Sequence, residues 1–262
     1  MNGKRGLMST IFLMKNRRGS HVGMIISFVV FITFIVFLYT VISPAVTTAA
    51  DKRTVLNYIE ERIEKNTSAE FTEISVMITD NPEISPGIYY KCVRFEQFFS
   101  LVGTPPCCTI AKNETGGIQG TYYDSKWFSE LEMNRANETN LFFKIYYSPE
   151  FDLLGKPTGL DCKEVKWETA YEISSIDTDE YIFEENVYEL MDYYNNNYEK
   201  LKTELSIPAG NEFEFGFIQS NETRMQVGNA SKSVNVYATE TPVQYIDNSA
   251  NVLSGFISVK VW

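Results

Sequence analysis

The sequence predicts an α+β protein: a single N-terminal transmembrane helix, then an extracytoplasmic head with a mainly antiparallel sheet and one long packed helix. Three observations predict it. Val22 to Ile42 pass without a charge. Most later apolar segments, rich in Tyr, Phe, Ile and Val, read as strands. One stretch, Phe183 to Leu205, keeps a helical period instead.

The uncharged stretch comes first. At about 1.5 Å rise per residue it makes a helix of roughly 31 Å, against a hydrocarbon core of about 30 Å. Its polar side chains, Ser27, Thr33, Tyr39 and Thr40, carry hydroxyls that can bond back to their own helix. Phe28, Phe31, Phe34 and Phe37 recur every third residue, so steps of about 300° carry them around the helix instead of along one stripe. Gly23 and Ser27 form a small-xxx-small pair, a feature that admits a second helix and so self-association. Lys4, Arg5, Lys15, Arg17 and Arg18 precede the span, and no acidic residue occurs before Asp51, which keeps the N-terminus in the cytoplasm. The expected location is therefore the cell membrane, single-pass, with the head outside. Ala45, Ala49 and Ala50 leave a cleaved secretory signal as the alternative, although the apolar run is longer than such signals use.

Arg17-Arg18-Gly19-Ser20, followed at once by the apolar helix, resembles the class III signal of archaeal type IV pilin-like proteins. The resemblance covers about residues 14–50. It implies cleavage between Gly19 and Ser20 by a prepilin peptidase, and pilus assembly machinery as partner. Met14 would begin a short leader, Met-Lys-Asn-Arg-Arg-Gly, and Met1 and Met8 are the other possible starts. Bacterial pilins carry a glutamate five residues into the mature chain; that position here is Met24, so the resemblance is to the archaeal form.

The resulting division is a leader (1–19), a transmembrane helix (20–43), a stalk helix (44–66) and a head (67–262). Ser43-Pro44 is expected to end or kink the first helix. Thr48 to Asp51 has the form of a capping box, followed by Val55, Leu56, Ile59 and Ile63 at helical spacing, which reads as a stalk or as a helix docked on the head. Strands are expected over Phe71–Thr79, Ile88–Phe95 and Leu141–Tyr147, with Gly103–Gly120 as a surface loop pinned by disulfide. The helix Phe183–Leu205 presents Val187, Leu190, Met191, Tyr194, Tyr198, Leu201 and Leu205 on one face. Phe213, Phe215 and Phe217 alternate as a half-buried strand, and Ser233–Tyr245 and Val252–Trp262 form a hairpin around Asp247-Asn248-Ser249.

Composition bounds the function. The chain has 262 residues and a net charge of −11; without the five basic residues before the span, 18 basic stand against 34 acidic residues, or −16. That balance argues against nucleic acid and anionic headgroups as partners of the head, leaving membrane lipid around the apolar helix. Cys92, Cys107, Cys108 and Cys162 all follow the span, in the compartment where disulfides persist. Three pairings are possible; bridging neighbours would strain the peptide, so the expectation is one of Cys107 and Cys108 joined to Cys92 and the other to Cys162. Asn66, Asn113, Asn137, Asn221 and Asn229 each open an Asn-x-Ser/Thr glycosylation triplet.

Catalytic patterns are scarce. Nucleophile–histidine chemistry needs a histidine in the head, and the sole one, His21, lies at the membrane edge. Asp177, Asp179 and Glu180 form the densest acidic run, read as a cap for the following helix in preference to a calcium site. No cofactor or metal is expected, and no enzyme. The expected function is a pilin-like, membrane-anchored structural or minor pilus subunit; the alternative is a solitary anchored protein whose head is a binding or adhesion module.

Overall fold

The computed structural model describes residues 19–79, 92–105, 107–113, 115–116, 118–119, 121–122, 131–134, 141–151, 162–229 and 235–262. The chain divides after Lys52 into two units. The first is helical from Gly19 onward, within the helix α1 (Gly19–Thr67). Of the two outcomes expected at Pro44, an end or a kink, the helix end does not occur. A proline removes only its own N–H from the ladder, here the bond to the carbonyl of Thr40, and the alanine-rich sequence after it favours continuation.

The second unit opens with the end of α1. Thr67 is buried and its Oγ1 donates to the Ile63 carbonyl at 2.9 Å, which closes the last turn. The chain passes directly into β1 (Ser68–Ile78). There follow β2 (Cys92–Phe95), α2 (Phe98–Val102), β3 (Thr109–Asn113), β4 (Ile118–Gln119), β5 (Thr121–Tyr122), β6 (Leu131–Asn134), β7 (Phe142–Tyr147), β8 (Lys163–Val165) and β9 (Tyr171–Phe183). The long helix α3 (Glu184–Glu204) precedes β10 (Phe213–Ile218), β11 (Arg224–Val227), β12 (Tyr237–Ile246) and β13 (Val252–Val261).

Nine strands form one sheet in the order β11-β10-β13-β12-β9-β1-β7-β3-β4, and β5-β6-β2-β8 form a second. Nearly every neighbour pair is antiparallel. In the large sheet the exception is β9 with β12, which pair in parallel at two positions only, Ile182 with Tyr245 and Phe183 with Ile246. The large sheet is thus two antiparallel blocks joined at a narrow bridge, and each block has its own core.

On the β10–β13 block, Leu56, Ile59 and Ile63 of α1 meet Val187, Met191, Tyr194 and Leu201 of α3 over Phe213, Phe215 and Phe217. Each of those aliphatic side chains contributes roughly 1.5–3 kcal/mol by leaving water. The segment expected as a stalk or docked helix therefore serves as a core element of the head. On the other block, Ile74, Val76, Phe143 and Ile145 face Val93, Phe95, Leu131 and Met133 of the small sheet. The opposite face of that block holds an aromatic cluster: Phe71 stacks on Tyr146 at 5.3 Å and meets Phe151 and Tyr181 edge-on.

Three local expectations are corrected. The acidic run Asp177–Glu180 does not cap α3; it lies inside β9, where alternate side chains point to opposite faces, and Thr178 bonds Thr72 on β1. The residue preceding α3 is Phe183, with no side-chain cap bond, while Glu184 and Glu185 occupy the first turn. Strand β10 is buried on both faces, not one: Phe213, Phe215 and Phe217 lie in the core, and Glu214 between them is also buried, paired with Lys260 of β13. Within the expected loop Gly103–Gly120 the structure has a strand, β3, with Thr109 to Lys112 all buried.

Helix α3 deviates at Asn197 (φ −141°, ψ 41°), within the run Asn195-Asn196-Asn197 of poor helix formers. Its final turn is tied to the start of β10. Tyr198 donates to Glu212 Oε2 at 2.5 Å and accepts from the Phe213 N–H at 3.2 Å, while Lys202 donates to Glu212 Oε1 at 2.7 Å. Glu212 in turn exchanges backbone hydrogen bonds with Trp262. Tyr198→Phe keeps the ring and removes both bonds, so it should cost about 1–3 kcal/mol, read as a lower denaturation midpoint; an unchanged midpoint would contradict this clamp.

The same clamp sets a pH dependence. Partial burial alone would raise the Glu212 carboxyl, but the Lys202 and Tyr198 hydrogen bonds outweigh it and hold the pKa below its usual value. A carboxyl depressed on folding stabilises above its unfolded pKa and loses that contribution as pH falls through its folded one. Stability should fall on acidification through the carboxylate range, and Glu212→Gln should flatten that fall. An identical acid slope in the variant would contradict the assignment.

Candidate functional site

Gly19 and Ser20, the expected cleavage junction, are the first described residues and lie within α1. Met1 to Arg18, including the basic leader, lie outside the described residues. His21–Val41 is long and apolar enough to cross a membrane by length and composition, with a mean hydropathy of 2.7 and none of it buried. Phe28, Phe31, Phe34 and Phe37 are 64, 58, 55 and 61% exposed, an arrangement that lipid or neighbouring helices would cover. Thr33 and Thr40 each donate their hydroxyl to the carbonyl three residues back, at 2.9 Å, which removes the polar cost of burying them in hydrocarbon.

The cysteines resolve differently from expectation. Cys92 is bonded to Cys162, 70 residues away, and Cys107 and Cys108 stand outside that bridge, both half-buried beside Tyr147. The reason is the small sheet: β2 and β8 pair in parallel from Val93 with Lys163 onward, which brings the two Cα atoms to 4.5 Å. Cys107 and Cys108 lead instead into β3 of the large sheet.

Four of the five glycosylation triplets open within the described residues; Asn137 lies outside them. Asn221 is exposed in the turn between β10 and β11, its Oδ1 accepting from the Thr223 N–H at 2.9 Å. Asn113 ends β3, with Oδ1 accepting from both the N–H and the hydroxyl of Thr115. Asn66 differs, because its Nδ2 donates to the Arg62 carbonyl at 2.7 Å within α1. Asn229 is exposed just after β11.

Open grooves lie among the described residues of the head. One of about 370 Å³ is lined by Ser75, Asn113, Phe142 and Lys144, and Lys144 is paired with Glu73 at 2.5 Å. Another, about 510 Å³, lies between the end of α1 and α3 and is lined by Asn66, Glu189, Tyr193 and Glu204. Among the described residues, no three of His, Cys, Asp and Glu converge as a metal site.

One polar cluster escaped the sequence. Lys112 on β3 is only 7% exposed, and its Nζ donates to the Ala250 carbonyl at 2.8 Å and to Asn251 Oδ1 at 2.7 Å, while lying 5.1 Å from the Tyr146 ring centre. Asp247 closes the group: Oδ1 accepts from the Ser249 and Asn251 N–H groups and Oδ2 from Asn251 Nδ2 at 2.8 Å. Burial lowers the Lys112 pKa, against the opposing pull of Asp247 and Glu73. The only sequence signal is the Asp-x-x-x-Asn turn; nothing local announces a lysine from so far up the chain.

A scan against protein-family models, a search of curated proteins and a search of solved structures each find no match to this chain.

Proposed function

We propose that this chain is a pilin-like, membrane-anchored subunit, cut between Gly19 and Ser20 by a prepilin peptidase and displaying its α+β head outside the cell. The observation that carries the reading is the run Arg17-Arg18-Gly19-Ser20 set directly against an exposed apolar helix of membrane length. The basic flank holds the leader in the cytoplasm. The helix then has two successive uses, storage in lipid before assembly and packing against copies of itself after release, and an apolar surface on all sides suits both. The head contributes a disulfide and five glycosylation triplets, features that fit the oxidising, exported side.

Gly19→Leu tests this in the native cell. The variant should remain in the membrane at the mass of the uncleaved chain and be missing from sheared surface fibres. Processing of the variant to the wild-type mass would contradict the proposal.

A second reading, a solitary anchored binding module, draws on β9. Its residues Ser174 to Glu180 are exposed in an unbroken run, and it pairs with β12 at two positions only. Such an edge suits addition of a partner strand. Cells that carry the protein but yield no filament containing it would favour this reading.

A further inference from the structure

We propose that Lys112 and Asn251 become joined by an isopeptide bond that the folded chain makes itself, with Asp247 carrying the proton. The three side chains already form a connected group: Lys112 Nζ to Asn251 Oδ1 at 2.7 Å, and Asn251 Nδ2 to Asp247 Oδ2 at 2.8 Å. The nucleophile is thus hydrogen-bonded to the oxygen of the carbonyl it would attack, and the acid touches the nitrogen that would leave. Proximity of this kind substitutes for catalysis by an external enzyme.

The reaction balances without a co-reactant. Transfer of one proton from the Lys112 ammonium to Asp247 leaves a neutral amine and a carboxyl; the Nζ lone pair then attacks Asn251 Cγ, and the new C–N bond pushes electrons onto Oδ1. The tetrahedral centre collapses, the Cγ–Nδ2 bond breaks, and a proton delivered by the Asp247 carboxyl leaves with that nitrogen as ammonia. The amine then gives up its own proton to restore the Asp247 carboxyl. No oxidation occurs.

Two features of the surroundings favour it. The amine must be uncharged to attack, and its burial on the aromatic face beside Tyr146 moves it in that direction. Asn251 lies at the surface, so ammonia has an exit. The consequence is mechanical. Strand β3 sits near one end of the large sheet, while the turn between β12 and β13 belongs to the other block, and the blocks are joined in the sheet by only two residue pairs. A covalent tie from β3 to that turn would close the sheet across its weakest line.

The test is mass spectrometry of the full-length protein purified from its membrane in detergent, digested after denaturation and reduction. The expected result is one branched peptide joining the Lys112 and Asn251 segments, lighter than their sum by one ammonia. Lys112→Arg, which keeps a buried cation, and Asn251→Ala should both release two linear peptides, and Asp247→Ala should leave most of the chain unlinked. Thermal melting of each variant establishes that it is folded. Separate, full-mass Lys112 and Asn251 peptides from the wild type would overturn the bond; a branched peptide persisting undiminished in Asp247→Ala would overturn the role of the acid.

Discussion

Phe213→Ala should lower the unfolding free energy of the head by about 3–5 kcal/mol, the range for emptying a buried aromatic site. The ring is fully buried and is shared by the two elements that make the core of its block. It lies 5.2 Å from Tyr194 and 5.7 Å from Tyr198 of α3, and 6.4 Å from Phe215 on its own strand. Its backbone is equally engaged: the Phe213 carbonyl accepts from the Tyr194 hydroxyl at 2.5 Å. Burial raises that hydroxyl to about 12, so it stays a donor at any physiological pH. The surrounding strand cannot collapse into the void, because β10 is fixed by β13 on one side and β11 on the other. Thermal melting of the full chain in detergent should show a drop on the order of 10 °C. A shift of only a degree or two would mean that α3 does not depend on this strand.

Cys92→Ser should cost about 4 kcal/mol in the chain-entropy account, since the bridge closes a loop of 70 residues. Cys92 is itself 1% exposed, so the serine hydroxyl would also enter a dry site. Cys107→Ser, outside the bridge, should change stability by about 0.5 kcal/mol or less. Equal losses in the two variants would contradict the pairing, as would a wild-type protein whose melting is indifferent to reductant.

How far the sequence could be read follows from the range of the forces involved. The apolar span, the face of α3 and the hairpin of β12 with β13 were legible because each is written in one contiguous period. Strand β9 was not, because Asp177, Asp179 and Glu180 weaken its alternation and its outer edge is solvent-exposed, so no hydrophobic face declares it. Pro44 does not end its helix, because a single lost hydrogen bond does not outweigh the helical preference around it. The disulfide and the Lys112 cluster were illegible for a different reason. Each joins residues that only the tertiary fold brings together, β2 beside β8 in one case and Lys112 of β3 against the β12–β13 turn in the other. Such contacts depend on non-local pairing and packing that no window of sequence contains. The run Arg17-Arg18-Gly19-Ser20 is a contiguous motif, and Gly19 and Ser20 are helical.

The most direct test of the central claim is the N-terminal residue of the mature chain, determined by mass spectrometry on protein taken from its native membrane. The proposed function predicts Ser20, with the apolar helix retained. A chain still bearing Arg17-Arg18-Gly19, or one beginning near Asp51 with the helix removed, would contradict it.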